Sequence, residues 1–320
     1  PADIWLFPSG MAAIETAFRA FQRLRPASKS VQFGFPYVDS LKVQQRLGVG
    51  AHFFPRGDAD ELRQLGQTAA AEPLLGLFCE FPGNPLLASP DLAGIDALSR
   101  ERGFPVLVDD TLGALINVEV LPAADLVSAS LTKYFSGAGD VIAGSLTINS
   151  NRPGARRLRD ALEAEYEDLF DAEDAVVLER NSRDCVDRVK RINQTAERLC
   201  DSLRNHPAVE RIDYPKFRTA ENYGAHRRPG GGYGGLFSIL LRNAETNAPA
   251  FFDALLIAKG PNLGTNFSLC CPYTILAHFT ELDFVERCGI SRYLLRVSVG
   301  LEEPDWLIAQ FREALSSLPG

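Results

Sequence analysis

Cysteine is scarce: six residues in 320 (Cys79, Cys185, Cys200, Cys270, Cys271, Cys288), with no CxxC pair. Sparse thiols without a pairing pattern exclude a disulfide scaffold and point to a reduced, cytoplasmic protein. Vicinal Cys270 and Cys271 lack a second pair or a redox motif, so they read as small buried apolar residues. Histidine is scarcer still. His52, His206, His226 and His278 lie far apart, form no HExxH and share no zinc spacing with cysteine, so no metal is expected. Long apolar runs are missing too: LLGLF at 74–78 falls far short of the roughly 18–20 residues a membrane span needs. The net charge is −8 and the longest basic cluster is HRRP at 226–229. That lacks the electrostatic footprint for phosphate backbones, so nucleic acid is not an expected partner. The opening residues lack a signal pattern. The sequence starts at Pro1 already inside an ordered-looking segment, DIWLFPSGM, and an upstream piece is expected.

What is present is an ordinary globular composition, 46% hydrophobic and 23% charged. At roughly 100–200 residues per domain the length suggests two domains. Between residues 30 and 150 short apolar runs alternate with amphipathic stretches: VQFGF (31–35), GAHFF (50–54), LLGLFCE (74–80), PVLVDD (105–110), ADLVSAS (124–130) and GSLTI (144–148). Runs of this kind separated by helix-length segments read as βα units around a buried, mostly parallel sheet with helices on both faces, an α/β fold. Ligands bind beyond the carboxyl ends of such strands, which singles out Glu80, Asp109 and Ser130 to Lys133. Residues 153–205 read as helical. LFSILL (236–241), a helix over 250–258, LLRVSV (294–299) and a helix over 304–315 then suggest a smaller α+β domain. The expected division is 1–190 and 191–320. Gly230, Gly232 and Gly235 formally match GxGxxG, but no strand precedes them and a strand follows, so they read as a loop.

Three segments carry chemistry. In SASLTKYFSGAGDVIAG (128–144) a lysine follows a buried strand between Ser130 and Thr132. A lone lysine is usually a solvated charge, but this placement favours a covalent or phosphate-binding role, and lysine forms Schiff bases with carbonyl cofactors. In VLVDDTLGA (106–114) Asp109 sits at a strand end, where a carboxylate either caps the strand or pairs with a protonated ring nitrogen. A Mg²⁺-binding aspartate of a nucleotide hydrolase is disfavoured because no GxxxxGK[ST] loop accompanies it. In FPSGMAAIETAF (7–18) Ser9 and Gly10 open a helix whose free N–H groups make either a plain capped start or an anion site. Together the three supply a phosphate cradle, a ring-nitrogen partner and an amine, the contacts pyridoxal phosphate needs.

The segments SGMAAI, E-x-P-x-N-P (Glu80 to Pro85), VDDT, SLTKYFSGAGD and LRVSVGLE (295–302) resemble, in order and spacing, the Cys/Met-metabolism pyridoxal phosphate enzymes of fold type I, the aspartate aminotransferase-like fold. That family includes cystathionine γ-synthases, cystathionine and methionine γ-lyases and O-acylhomoserine sulfhydrylases. GPNLGTNFSLCCPYTILAH (260–278) looks most like the fungal-type branch of the γ-synthases. The resemblance implies pyridoxal 5'-phosphate bound covalently to Lys133, which also shuttles protons. It implies Asp109 on the ring nitrogen and Gly10, Met11, Ser130 and Thr132 around the phosphate. Tyr37 would stack on the ring and assist proton transfer near the leaving group; core filling is its competing reading. Asn84 would lie near the phenolic oxygen. Arg296 and Ser268 would bind substrate, Arg296 through its α-carboxylate.

The implied reaction is γ-replacement on an O-acyl-L-homoserine, succinyl or acetyl, with L-cysteine as the thiol, giving L-cystathionine in methionine and transsulfuration metabolism. A γ-lyase or a sulfhydrylase would use the same site, and a non-catalytic scaffold is the alternative of another class. The resemblance also implies a homodimer or homotetramer, with a Tyr-x-Arg segment, upstream of the residues here, reaching into the neighbouring subunit. Three positions depart from the family: Ala138 stands for a histidine, Asp110 for the asparagine of Asp-Asn-Thr, and Phe267 for a glutamate that helps choose substrate.

Overall fold

The computed structural model describes residues 3–318. The larger sheet has seven strands in the order β1-β7-β6-β5-β4-β2-β3. These are β1 (Ile4–Phe7), β2 (Lys29–Phe33), β3 (Ala51–Phe54), β4 (Leu74–Glu80), β5 (Val106–Asp109), β6 (Leu126–Ser130) and β7 (Gly144–Ile148). All neighbours from β3 to β6 pair in parallel, and β7 runs antiparallel to both β6 and β1. The near-continuous apolar runs follow from burial on both faces. Val31, Leu77, Val106 and Val108 pack on one side with Leu65, Leu92 and Ile95. Leu75, Phe78, Leu107, Leu126 and Leu146 pack on the other against Ala13, Ile14, Phe18 and Phe21 of helix α1 (Gly10–Leu24). Phe18 and Phe21 are fully buried, and truncating either to alanine costs about 3–5 kcal/mol.

The second sheet has five strands in the order β10-β11-β12-β9-β8, namely β8 (Val209–Asp213), β9 (Leu236–Leu241), β10 (Ala258–Lys259), β11 (Leu269–Pro272) and β12 (Leu295–Ser298). Its core joins Phe237, Ile239 and Val297 to Leu199, Leu203, Phe251 and Phe311 from three covering helices. The segment 153–205 contains three helices, Ala155–Glu165, Ala172–Ser182 and Cys185–Leu203. The last of these spans two environments: Cys185, Val189 and Ile192 pack with Leu112 and Tyr134 of the large-sheet loops, whereas Ala196, Leu199 and Leu203 pack under the small sheet.

Two expectations change. The helix expected over 250–258 is Ala244–Ala254, because Leu255 turns extended and buried to feed the edge strand β10. The opening segment forms strand β1, a short apolar run, IWLF, that lies outside the βα units read between residues 30 and 150.

Candidate active site

Strands β4, β5 and β6 end in step, with Glu80 opposite Asp109 and Asp109 opposite Ser128. This brings two carboxylates to the carboxyl edge of one sheet, beside the turn that carries Lys133. Asp109 Oδ1 accepts the Thr111 N–H at 2.8 Å and Oδ2 accepts the Ser128 hydroxyl at 3.2 Å. Burial raises its carboxyl above the usual range, against the pull of those donors. Glu80 is pushed up to about 8, first by burial and then by the Asp109 charge. Asp110 is raised well above the usual range by burial and then by Asp109, and its Oδ1 has no hydrogen-bond partner among the described residues. Among those residues Asp109 forms no ion pair with lysine or arginine.

Lys133 follows β6 in a tight turn. Its Nζ donates to Asn262 Oδ1 at 2.7 Å, and burial, then the Arg296 charge, lower its pKa. Both effects favour the neutral amine, the nucleophilic form. The loop bearing Asn262 can lie this close because Gly264 stands at φ +75°, and a Cβ there would sit 2.8 Å from the Lys133 carbonyl carbon.

The Ser9 side chain caps α1 by accepting the Ala12 N–H at 3.1 Å. The N–H groups of Gly10 and Met11 have no partner within the helix, and the first turn carries no acidic residue. A Cβ on Gly10 would come 2.9 Å from Ser130 Cβ, so glycine lets the helix end meet the end of β6. Ser130 donates its N–H to Thr111 Oγ1 at 2.8 Å, while Thr132 Oγ1 accepts the Ala143 N–H at 3.0 Å and faces the Ala143 carbonyl at 3.3 Å.

Arg296 enters from β12 and is buried. It donates to Asn84 Oδ1 at 3.1 Å and to the Pro261 carbonyl, and its guanidinium lies 4.8 Å over the Tyr273 ring. Asn84 in turn donates to the Tyr273 hydroxyl at 3.0 Å. All the bonded partners of Arg296 are neutral, which leaves its charge available to an incoming carboxylate. Tyr37 begins helix α2 (Val38–Leu47) with 45% of its surface exposed, and burial followed by Asp39 raises its phenol. Among the described residues Ser268 bonds to none of these groups. Its hydroxyl and N–H both go to Glu302, at 2.7 and 2.6 Å, and its oxygen accepts the Gly300 N–H at 2.9 Å.

The sequence reading gave no role to Asn262, Thr111, Ser128 or Tyr273, and marked Glu80 as a strand end and the first residue of the E-x-P-x-N-P motif without a chemical role. Asn262 lies 129 residues from Lys133 in the chain, and no local pattern links such a pair. Ser128 could have been found from the register of β5 and β6 alone.

The site holds a buried carboxylate with no cationic partner, an amine biased to its neutral form and an open helix N-terminus facing a serine. These fit a group bearing a ring cation, a carbonyl and an anion. The chain belongs to the Cys/Met metabolism PLP-dependent enzymes, whose family model matches residues 2–316. Among curated relatives it is 47% identical to a cystathionine gamma-synthase of Neurospora crassa, over 98% of this chain and 52% of that protein. It is 44% identical to a cystathionine gamma-synthase-like enzyme of Amanita muscaria, over 98% and 57%. The chain thus spans about half the length of the curated relatives it matches. A crystal structure of a cystathionine gamma lyase from Micromonospora echinospora superposes with a TM-score of 0.85 at 26% identity, covering 98% of this chain and 82% of that one. The fold is the fold type I of those enzymes. No helix among the described residues is long and apolar enough to cross a membrane.

Proposed function

We propose that this chain catalyses γ-replacement: an O-acyl-L-homoserine and L-cysteine give L-cystathionine and the free carboxylic acid. The carrying observation is the pair of complementary charges without a charged partner among the described residues, Asp109 at the end of β5 and Arg296 on β12, together with Lys133, whose amine Arg296 helps to keep neutral. The names of the relatives support the thiol-adding reaction in particular. When bound, pyridoxal phosphate supplies a carbonyl that couples to amines and a protonated ring that withdraws electrons from the attached carbons.

The residues divide the remaining work. The α1 N-terminus at Gly10 and Met11, with Ser130 and Thr132, holds the phosphate. Asp109 would stay ionised against the ring cation, whose charge would offset the burial that raises its carboxyl. Arg296, aimed by Asn84, binds the α-carboxylate, and Tyr37 covers the ring. Lys133 Nζ, free once substrate had displaced it, would take the Cα proton, hand it to the bound group and, neutral again, take a Cβ proton, so that the γ-acyloxy group departs as a carboxylate. Cysteine thiolate adds at Cγ and Lys133 returns the protons. Ser268 shapes the substrate side through the turn it shares with Glu302. In the same reading the helix Cys185–Leu203 carries the division between residues 1–190 and 191–320, and the protein works in the cytoplasm as a homodimer or homotetramer.

The similarity to a γ-lyase keeps elimination to an oxobutanoate as the second reading. Product analysis of O-acylhomoserine with cysteine, with sulfide and with no thiol separates them. Cystathionine is the expected product with cysteine; ketoacid alone under all three conditions would replace γ-replacement by elimination.

A further inference from the structure

Glu80 closes β4 directly opposite Asp109, and the reaction as derived leaves it without a role. Its two oxygens each accept one backbone N–H, from two separate segments: Oε1 from Tyr37 at 2.5 Å and Oε2 from Asn84 at 2.9 Å. Tyr37 starts α2, and Asn84 carries the amide that bonds Arg296. One carboxylate therefore sets the distance between the residue expected over the ring and the residue that aims the carboxylate clamp. An ionised carboxyl accepts at both oxygens. A protonated acid, or an amide, presents a donor at one of them to an N–H that is also a donor.

We propose that Glu80 is a positioning residue whose carboxylate ties Tyr37 and Asn84 to the end of β4 and so fixes the reach of Arg296 toward the substrate α-carboxylate. The inference rests on the roles proposed above for Tyr37, Asn84 and Arg296. The charged and titratable groups facing Glu80 are Asp109 from β5, Arg296 from β12, Tyr37 at the start of α2, Tyr273 from the helix Tyr273–His278, and Cys79 beside it in β4. Burial holds Tyr37, Tyr273 and Cys79 above their ordinary values, so they stay neutral where Glu80 titrates. Glu80 itself is pushed up to about 8 by burial and then by Asp109, against the pull of the two N–H groups and Arg296. Both ties are therefore at full strength above that pH, and one weakens below it.

The test is amide hydrogen exchange on the full chain, without and with pyridoxal phosphate, from pH 6.5 to 9.5 and corrected for intrinsic hydroxide catalysis. Protection at the Tyr37 and Asn84 amides of the wild type without cofactor is expected to rise with an inflection near pH 8. Glu80→Gln keeps one accepting oxygen, so it should lower protection by about 10-fold at pH 9 at whichever of the two amides meets the carboxamide nitrogen, the worth of a hydrogen bond to a charged group, and abolish the inflection. The Asp110 amide, bonded to the Ser128 carbonyl, should keep its wild-type protection. In the loaded enzyme the variant should raise KM for the amino-acid substrate about fivefold to tenfold with little change in kcat, flattening the pH dependence of KM. Unchanged exchange at Tyr37 and Asn84 in the variant, or a KM profile that superposes on the wild type, would overturn the proposal. If Glu80→Gln does not fold, the wild-type curve decides, and absence of its inflection is equally fatal. A chain that makes no cystathionine yet shows the inflection loses the function proposed above and keeps the tether.

Discussion

The carboxyl edge of the large sheet and the strand face opposite it treat buried charge in opposite ways. The edge gathers acids: Glu80, Asp109 and Asp110 are all raised by burial, and the donors that reach the Asp109 carboxylate among the described residues, from Thr111 and Ser128, are neutral. The small sheet brings one cation, Arg296, whose bonded partners are amide oxygens and whose neighbour across the ladder is Cys271. Burial raises that thiol above its ordinary value, against the opposing pull of Arg296, so no thiolate answers the guanidinium at neutral pH. A charge left uncompensated in a low-dielectric site is costly unless a partner from outside completes it. The comparison teaches that the two regions suit partners of opposite charge, a cation at the acidic edge and an anion at Arg296.

Removing the residue in the middle should have the largest effect. Lys133→Ala is expected to lower cystathionine formation by at least about 10³-fold in an initial-rate assay, since anchor and proton carrier go together. A scaffold without catalysis would show no functional change.

The two regions should then separate kinetically. Asp109→Asn is expected to lower kcat by about 10²-fold to 10³-fold, because its charge matters most where electrons accumulate. Arg296→Ala should act mainly on KM, raising it by about 30-fold to 200-fold, for a loss of about 2–3 kcal/mol of carboxylate binding. Steady-state kinetics that reversed this assignment would break the comparison.

The smallest effect is on stability. The Asp110 carboxyl is raised in the folded chain, so above the ordinary carboxylate range the unfolded chain sheds a proton that the folded chain keeps. Stability is therefore intact below that range and eroded as pH rises. Asp110→Asn should remove the penalty, stabilising the chain by about 1 kcal/mol at pH 8 and by almost nothing near pH 4, as read from urea unfolding at both pH values. A variant that destabilised equally at both would show that Asp110 is ionised and paired.

Much of the large sheet was legible because its strands are buried on both faces, so LLGLFCE and the runs after it stand out without alternation. Two edge strands were not: β1, the short apolar run IWLF, stands outside the run of βα units, and β10 is only two exposed residues long. Of the site, Lys133 and Asp109 were legible as polar residues closing apolar runs. Asn262 was not, since its bond to Lys133 crosses from one sheet's loops to the other's and leaves no local trace. Ser268 shows the converse limit. The resemblance implied substrate binding for it, and its bond to Glu302, a partner 34 residues on, is visible only in three dimensions.

The most direct test is the visible spectrum of the purified chain with added pyridoxal phosphate, followed by borohydride reduction and peptide mass mapping. The account predicts a visible band that reduction fixes as a single pyridoxyl adduct on Lys133. An adduct on another lysine, or no band even with excess cofactor, would contradict it.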